Sequence, residues 1–168
     1  WRKLFFAQNS TPITGRQIAI GVYLAALCRA LFAVIAYYIL LLAFDVVNFG
    51  ISILLVPIAV LGGGAFGALM LFAAAKIEKE DQFFNILGRL VIMPMFLFSG
   101  TFFPLTIYPK PIQWFIPALP LWQAIELIRG LTLGILNLAM LGHVLYFVVM
   151  IIGGLYFTTR RLTALFLR

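Results

Sequence analysis

Four long, almost wholly apolar stretches leave this chain few ways to fold. They cover roughly residues 18–44, 51–75, 83–103 and 138–158. A helix needs about 20 mostly apolar residues to cross a bilayer, and each stretch reaches that length. Residues 30–44 form the uncharged part of the first. None has the short apolar core and small-residue cleavage site of a signal peptide. The pattern predicts an all-α polytopic membrane protein with four transmembrane helices, folded as a single transmembrane domain over 1–168. Composition agrees: 64% of the 168 residues are hydrophobic and 10% charged, where soluble domains carry about 25% charged residues. A soluble globule of this size could not hide that much apolar surface. A soluble enzyme domain and a disordered tail are therefore excluded, and the single cysteine, Cys28, excludes a disulfide scaffold.

The connections differ in kind. Residues 45–50 make a short turn with Asn48 and Gly50 as breakers, and Asp45 caps that helix end. Residues 76–82 form a charged loop containing Lys76, Glu78, Lys79, Glu80 and Asp81. Residues 104–137 are too apolar for a solvated loop, yet prolines interrupt them at 104, 109, 111, 117 and 120. They read as two short re-entrant helices dipping into the membrane from one side. Such broken backbone survives at membrane depth only where protein or a water-filled cavity covers it. Arg2, Lys3, Arg16, Lys76, Lys79, Arg160, Arg161 and Arg168 fall on one side of the four spans. Lys110 and Arg129 fall on the other. Basic residues favour the cytoplasmic side, so both termini, with the tail 159–168, are expected in the cytoplasm and the re-entrant pair outside. The net charge of +7 thus marks topology. No basic face with interleaved aromatics exists, so no nucleic acid partner is expected.

Few residues carry chemistry. Gly62-Gly63-Gly64-Ala65-Phe66-Gly67 matches G-x-G-x-x-G in form but lies inside an apolar helix, not after a strand in a βαβ unit. It reads as close helix packing, with Gly63 and Gly67 on one face. No phosphate-binding loop exists, and one histidine with one cysteine cannot build a zinc site. No serine has a histidine and acid arranged for nucleophilic catalysis, so no catalytic and no metal residues are expected. His143, early in the last span, is expected to hydrogen-bond inside the protein. Arg29 and Arg89 interrupt spans near their cytoplasmic ends, where arginine snorkels.

Glu126 and Arg129 lie three apart on the second re-entrant helix and share a face. They are either an ordinary pair at the outer boundary or a polar element at the mouth of a pathway. Pro94 removes a backbone hydrogen bond inside the third span and favours a kink. The Met- and Phe-rich sequence around it, Met93, Met95, Phe96, Phe98, Phe102 and Phe103, suits lipid, core or an apolar substrate. Trp114 and Trp122 lie in the re-entrant segment, and tryptophan favours the membrane interface.

Phe98-Ser99-Gly100-Thr101-Phe102-Phe103-Pro104, then Pro120-Leu121-Trp122, Glu126-Leu127-Ile128-Arg129-Gly130 and Leu133-Gly134, resembles the signature of ABC-2 type transporter permeases. Thr11-Pro12-Ile13-Thr14-Gly15-Arg16 is similar to that family's approach to a span. The nodulation-factor and lipo-oligosaccharide exporters, with daunorubicin-type drug exporters, are the nearest in flavour. Ile107-Tyr108-Pro109-Lys110-Pro111 departs from the Leu-Pro pair of the lipo-oligosaccharide group, so the ends of the first re-entrant helix do not carry over. The resemblance implies a six-span permease of a bacterial plasma membrane, of which these are the third to sixth spans, preceded by an interfacial helix and two further spans. It implies a permease dimer, homomeric or heteromeric, working with a separate ATP-binding-cassette ATPase subunit that holds the ATP and magnesium; this chain would bind no cofactor. Residues 1–15 would be the cytoplasmic coupling segment, with Lys3, Leu4, Phe5, Phe6, Gln8 and Asn9 contacting the ATPase. Pro94, Phe98, Ser99, Phe102, Phe103, Trp122, Glu126 and Arg129 would form the substrate pathway or outer gate. The expected cargo is amphipathic: a glycolipid, a lipid-linked saccharide or a hydrophobic drug. A secondary transporter or channel would carry more intramembrane acids. An assembly subunit remains the other alternative, and dependence on an ATPase partner separates the readings.

Overall fold

The computed structural model describes residues 14–75, 80–135 and 137–166. Among them every regular element is helical. Helix α1 spans Gly15–Ala43. It starts on a capping box: the Gln17 backbone N–H donates to the Thr14 hydroxyl, and the Thr14 N–H donates to the Gln17 side chain at 2.9 Å. Each thus satisfies a donor that the first helical turn leaves free.

α1 ends on a left-handed residue, as helices often do. Asp45 has φ +54°. Its N–H donates to Leu42 O at 3.2 Å and the Val46 N–H to Leu41 O at 3.0 Å. Asn48 and Gly50, the breakers expected from sequence, follow this stop. The Asn48 carbonyl accepts from Ser52 Oγ, which pairs with Tyr38 Oη at 2.8 Å. A short 3-10 turn, Ile51–Leu54, then leads into α2, Leu55–Ala74.

The third expected span contains three parts: α3 (Glu80–Leu87), a π-turn (Gly88–Ile92) and α4 (Met93–Phe98). Pro94 explains the π-turn. It has no N–H for the Leu90 carbonyl, and its ring presses on that carbonyl. Widening the helix moves the carbonyl aside, and the Met93 N–H donates to Gly88 O, five residues back. The kink expected at Pro94 is thus taken up one turn earlier as a bulge. The helix stops at Phe98, and residues 99–103 are bends. At about 1.5 Å per residue, residues 80–98 reach close to the roughly 30 Å of a hydrocarbon core. Their apolar part, Asn85–Phe98, is shorter than the other spans.

The re-entrant region holds two helices, α5 (Lys110–Phe115) and α6 (Pro120–Thr132). α6 ends on a second left-handed stop. Gly134 has φ +68°, its N–H donates to Leu131 O, and the Ile135 N–H donates to Gly130 O at 2.8 Å. The Leu133-Gly134 pair therefore terminates α6 and turns the chain toward α7, Ala139–Phe166. Three helical stretches, Gly15–Ala43, Ile51–Ala74 and Ala139–Ala164, are long and apolar enough to cross a membrane.

α2 is the hub, packing on α1, α6 and α7. Close approach runs through small residues, as expected where lipid removes the hydrophobic drive between helices. The register differs from the expected one. A Cβ on Gly63 or Gly67 would meet nothing within 4 Å. Gly64 instead faces Leu27 and Tyr23 of α1, and Ala68 faces Gly154 of α7. Gly62 faces Ala124 and Phe147. Buried Ala65, Leu127 and Phe147 form one core cluster; Tyr38, Leu55 and Leu131 form another. The third span stands apart from this core, with exposed Leu90, Val91, Met93, Phe96 and Leu97.

Candidate functional site

The end of the third span meets the re-entrant helices at Gly100. Ser99 is fully buried. Its Oγ donates to Phe96 O at 2.8 Å and pairs with Thr101 Oγ1 at 2.7 Å. Gly100 then reverses the chain with φ +82°, in the region that glycine tolerates best. Trp122 packs over it; a Cβ there would lie 3.5 Å from Trp122 Cδ1. Arg129 closes the junction. Its Nη2 donates to Gly100 O at 3.1 Å, and its Nη1 donates to Glu126 Oε1 at 2.7 Å. One guanidinium thus links the first re-entrant bend to α6.

This ion pair contributes little stability. Arg129 and Glu126 keep 47% and 31% of their side-chain surface exposed, and exposed pairs contribute about 0–1 kcal/mol. Its effect is positional: Glu126 aims the arginine, and Arg129 holds the Gly100 carbonyl.

The polar side chains around this junction share one task. Prolines and bends free backbone carbonyls, and these need donors. Tyr108 Oη donates to Leu97 O at 3.1 Å. Gln113 Nε2 donates to Tyr108 O at 2.6 Å, and Gln123 Nε2 to Pro117 O at 2.6 Å. Tyr146 Oη donates to Ala118 O at 2.8 Å. Gln123 Oε1 also pairs with His143 Nδ1, and the His143 ring meets the Trp122 ring edge-on at 5.8 Å. His143 is therefore a hydrogen-bonding residue that ties α7 to α6.

Two apolar grooves flank the third span. One, of about 720 Å³, includes Phe66, Met70, Pro94, Phe98, Ile116 and Pro120 in its lining. The other, of about 780 Å³, includes Gly62, Gly63, Arg89, Met93, Leu121 and Ile128. Phe66, Met95 and Pro120 line both.

The sequence-derived pathway residues therefore separate. Ser99, Trp122, Glu126 and Arg129 converge on Gly100, while Pro94 and Phe98 line a groove. Phe102 and Phe103 are exposed and line neither groove; the Phe102 ring meets Phe96 edge-on at 5.2 Å. Lys3, Leu4, Phe5, Phe6, Gln8 and Asn9 lie outside the described residues. Sequence reasoning did not assign Gly100 as a contact of Arg129, nor Gln123 as a partner of His143. Glycine beside a proline-rich bend is the one available signal for the first. Contacts spanning 29 and 20 residues leave no periodic trace. Among the described residues no three His, Cys, Asp or Glu side chains gather to hold a metal ion.

Three bilayer-length helices, a proline-broken fourth and a re-entrant pair define a multi-pass membrane protein. The chain belongs to the ABC-2 type transporter family, whose pattern it matches over residues 2–133. It is 35% identical over 78 residues to nodulation protein J of Rhizobium meliloti (strain 1021), a match covering 46% of this chain and 29% of that protein. No solved structure matches.

Proposed function

We propose that this chain is the membrane permease part of an ATP-driven exporter of an amphipathic molecule, such as a glycolipid, a lipid-linked saccharide or a hydrophobic drug. It sits in a bacterial plasma membrane, with both ends of the chain in the cytoplasm, and pairs with a second permease copy. A separate ATP-binding-cassette subunit supplies ATP hydrolysis and docks near Lys3, Leu4, Phe5, Phe6, Gln8 and Asn9. Family membership supports this reading. The observation that carries the gate is Arg129, held between Glu126 and the Gly100 carbonyl.

In this mechanism the third span and α6 move as one unit while that latch is closed. ATP drives the change by binding one state of the partner better than the other. The movement reaches the spans through the segment near Phe5, and the re-entrant helices part from their neighbours to release cargo outward. The test has two arms. The intact permease should co-purify with an ATPase subunit whose rate depends on the permease. Arg129→Ala and Glu126→Ala should each impair export more than expression. Normal export by both variants would refute the gate, and a well-folded permease without any ATPase partner would refute the exporter.

A further inference from the structure

The segment between the third span and α6 suits neither water nor hydrocarbon. Phe102, Phe103, Ile107, Trp114 and Phe115 are all exposed, Trp114 at 86%. Lys110 is the only charged residue from 99 to 119. A contiguous exposed apolar surface of this kind marks contact with something other than water. The backbone excludes the bilayer core equally. Residues 99–103 are bends, residues 105–107 make one 3-10 turn, and Pro109 and Pro111 bracket the start of α5. Lipid-exposed irregular backbone does not occur in hydrocarbon, where nothing pairs its N–H and C=O groups. The headgroup layer meets both demands. Its water and polar groups serve the backbone, while apolar side chains still reach the acyl chains.

The segment is fastened at both ends. Tyr108 Oη donates to Leu97 O at 3.1 Å, and the Tyr108 ring meets Phe98 edge-on at 5.5 Å. The approach to α5 is thus held at the level where the third span stops. Buried Ile116 anchors the other end. Between them, α5 packs mainly on the turn that follows it. Ile112 and Phe115 line the 720 Å³ groove, whereas Trp114 lines neither groove.

Side-chain chemistry indicates what covers Trp114. Lys110 and Trp114 are four apart, so they share one face of α5. Tryptophan concentrates at the membrane interface, and a lysine stem lies along apolar surface while its ammonium reaches polar groups. Lipid phosphates complement that ammonium. A second copy of this face does not: a two-fold contact would set Lys110 beside its own equivalent, and residues 99–119 supply no acid to pair with it.

We propose that residues 101–115 form a membrane-interface anchor, with Lys110 on lipid phosphates and the Trp114 ring at the boundary between headgroups and acyl chains. α5 then lies in the headgroup layer instead of dipping below it, and the bend at Gly100 is held near that depth. The anchor is independent of what the protein transports.

The test uses the intact permease in phosphatidylcholine nanodiscs, with bromine on the acyl chains either near the carbonyl end or near the chain terminus. The fluorescence lost in Trp114→Phe is the Trp114 signal. Phe32→Trp, at an exposed site near the middle of α1, calibrates a ring at hydrocarbon depth. Trp114 should be quenched at least about twofold more by shallow bromine than by deep bromine, as a ring in the interfacial belt would be. Lys110→Leu should move Trp114 toward the deep bromine, and Lys110→Arg should keep it shallow. Equal or greater quenching of wild-type Trp114 by the deep bromine means that the segment dips into the core and overturns the proposal. Quenching by neither lipid overturns it too: access to aqueous iodide then places Trp114 in water, and shielding from iodide places it under protein, such as a second copy. An unchanged depth in Lys110→Leu overturns the phosphate contact of Lys110.

Discussion

Gly153 and Gly154 are neighbours on α7 in opposite surroundings. A Cβ on Gly153 would meet nothing within 4 Å, whereas one on Gly154 would lie 2.9 Å from the Cβ, carbonyl carbon and carbonyl oxygen of Ala68. Alanine at either position gains about 0.8–1 kcal/mol of helix propensity. Gly153→Ala keeps that gain. Gly154→Ala must displace backbone, because two of the three atoms it meets are main chain and the third is a rigid methyl group. α2 and α7 must move apart, at the cost of about 1–3 kcal/mol typical of overpacking. Subtracting the propensity gain, Gly154→Ala should be less stable than wild type by up to about 2 kcal/mol, while Gly153→Ala should be more stable by up to about 1 kcal/mol. The assay is thermal unfolding of the purified variants in one detergent, followed by loss of the monodisperse peak. Gly154→Ala should melt below wild type, and Gly153→Ala at or above it. If Gly154→Ala melts as high as Gly153→Ala, the close approach of α2 and α7 is not what sets their packing.

Other substitutions probe other parts of the fold. Asp45 holds a left-handed conformation, so Asp45→Gly should stabilise by about 1 kcal/mol and Asp45→Val should destabilise, read by the same melting assay. Tyr23 Oη is buried without a hydrogen-bond partner among the described residues; Tyr23→Phe should therefore stabilise by about 1 kcal/mol. Gly100→Ala must force φ +82° on a residue with a side chain, costing about 1–2 kcal/mol, and export should fall while Arg129→Lys leaves expression intact. Gly64→Ala should cost less than Gly154→Ala, because it meets the far ends of Leu27 and Tyr23 instead of backbone.

Three of the four spans were legible because bilayer thickness converts directly into residue count; the third, whose apolar part is only Asn85–Phe98, falls short of that length. The Glu126–Arg129 pair was legible because three-residue spacing places both on one helical face. Helix register was not. Gly62, Gly63, Gly64, Ala65, Gly67 and Ala68 offer several equivalent small-residue faces, and α2 is apolar all round, so no polar stripe selects among them. The chosen face depends on where Tyr23, Leu27 and Gly154 arrive from distant sequence. The π-turn was hidden for a related reason. Pro94 announces a disturbance, but whether the helix kinks or widens depends on how its neighbours hold it. The carbonyl partners of Arg129, Gln123 and Tyr146 were unreadable because every residue carries a carbonyl, and only the folded path exposes particular ones.

The π-turn also works as a counting device. It accommodates one more residue than an α-helical path of equal length, so everything from Met93 onward is rotated by about 100° relative to a continuous α-helix. Gly100 meets Trp122 and Arg129 from this rotated path. Deleting one residue from 88–92 would yield a helix that is locally more regular yet presents the wrong face to the re-entrant pair. In relatives of this chain, a one-residue gap at this point is therefore a change of phase along the span, and Gly100 should keep its role only where the gap is absent or is compensated before residue 98.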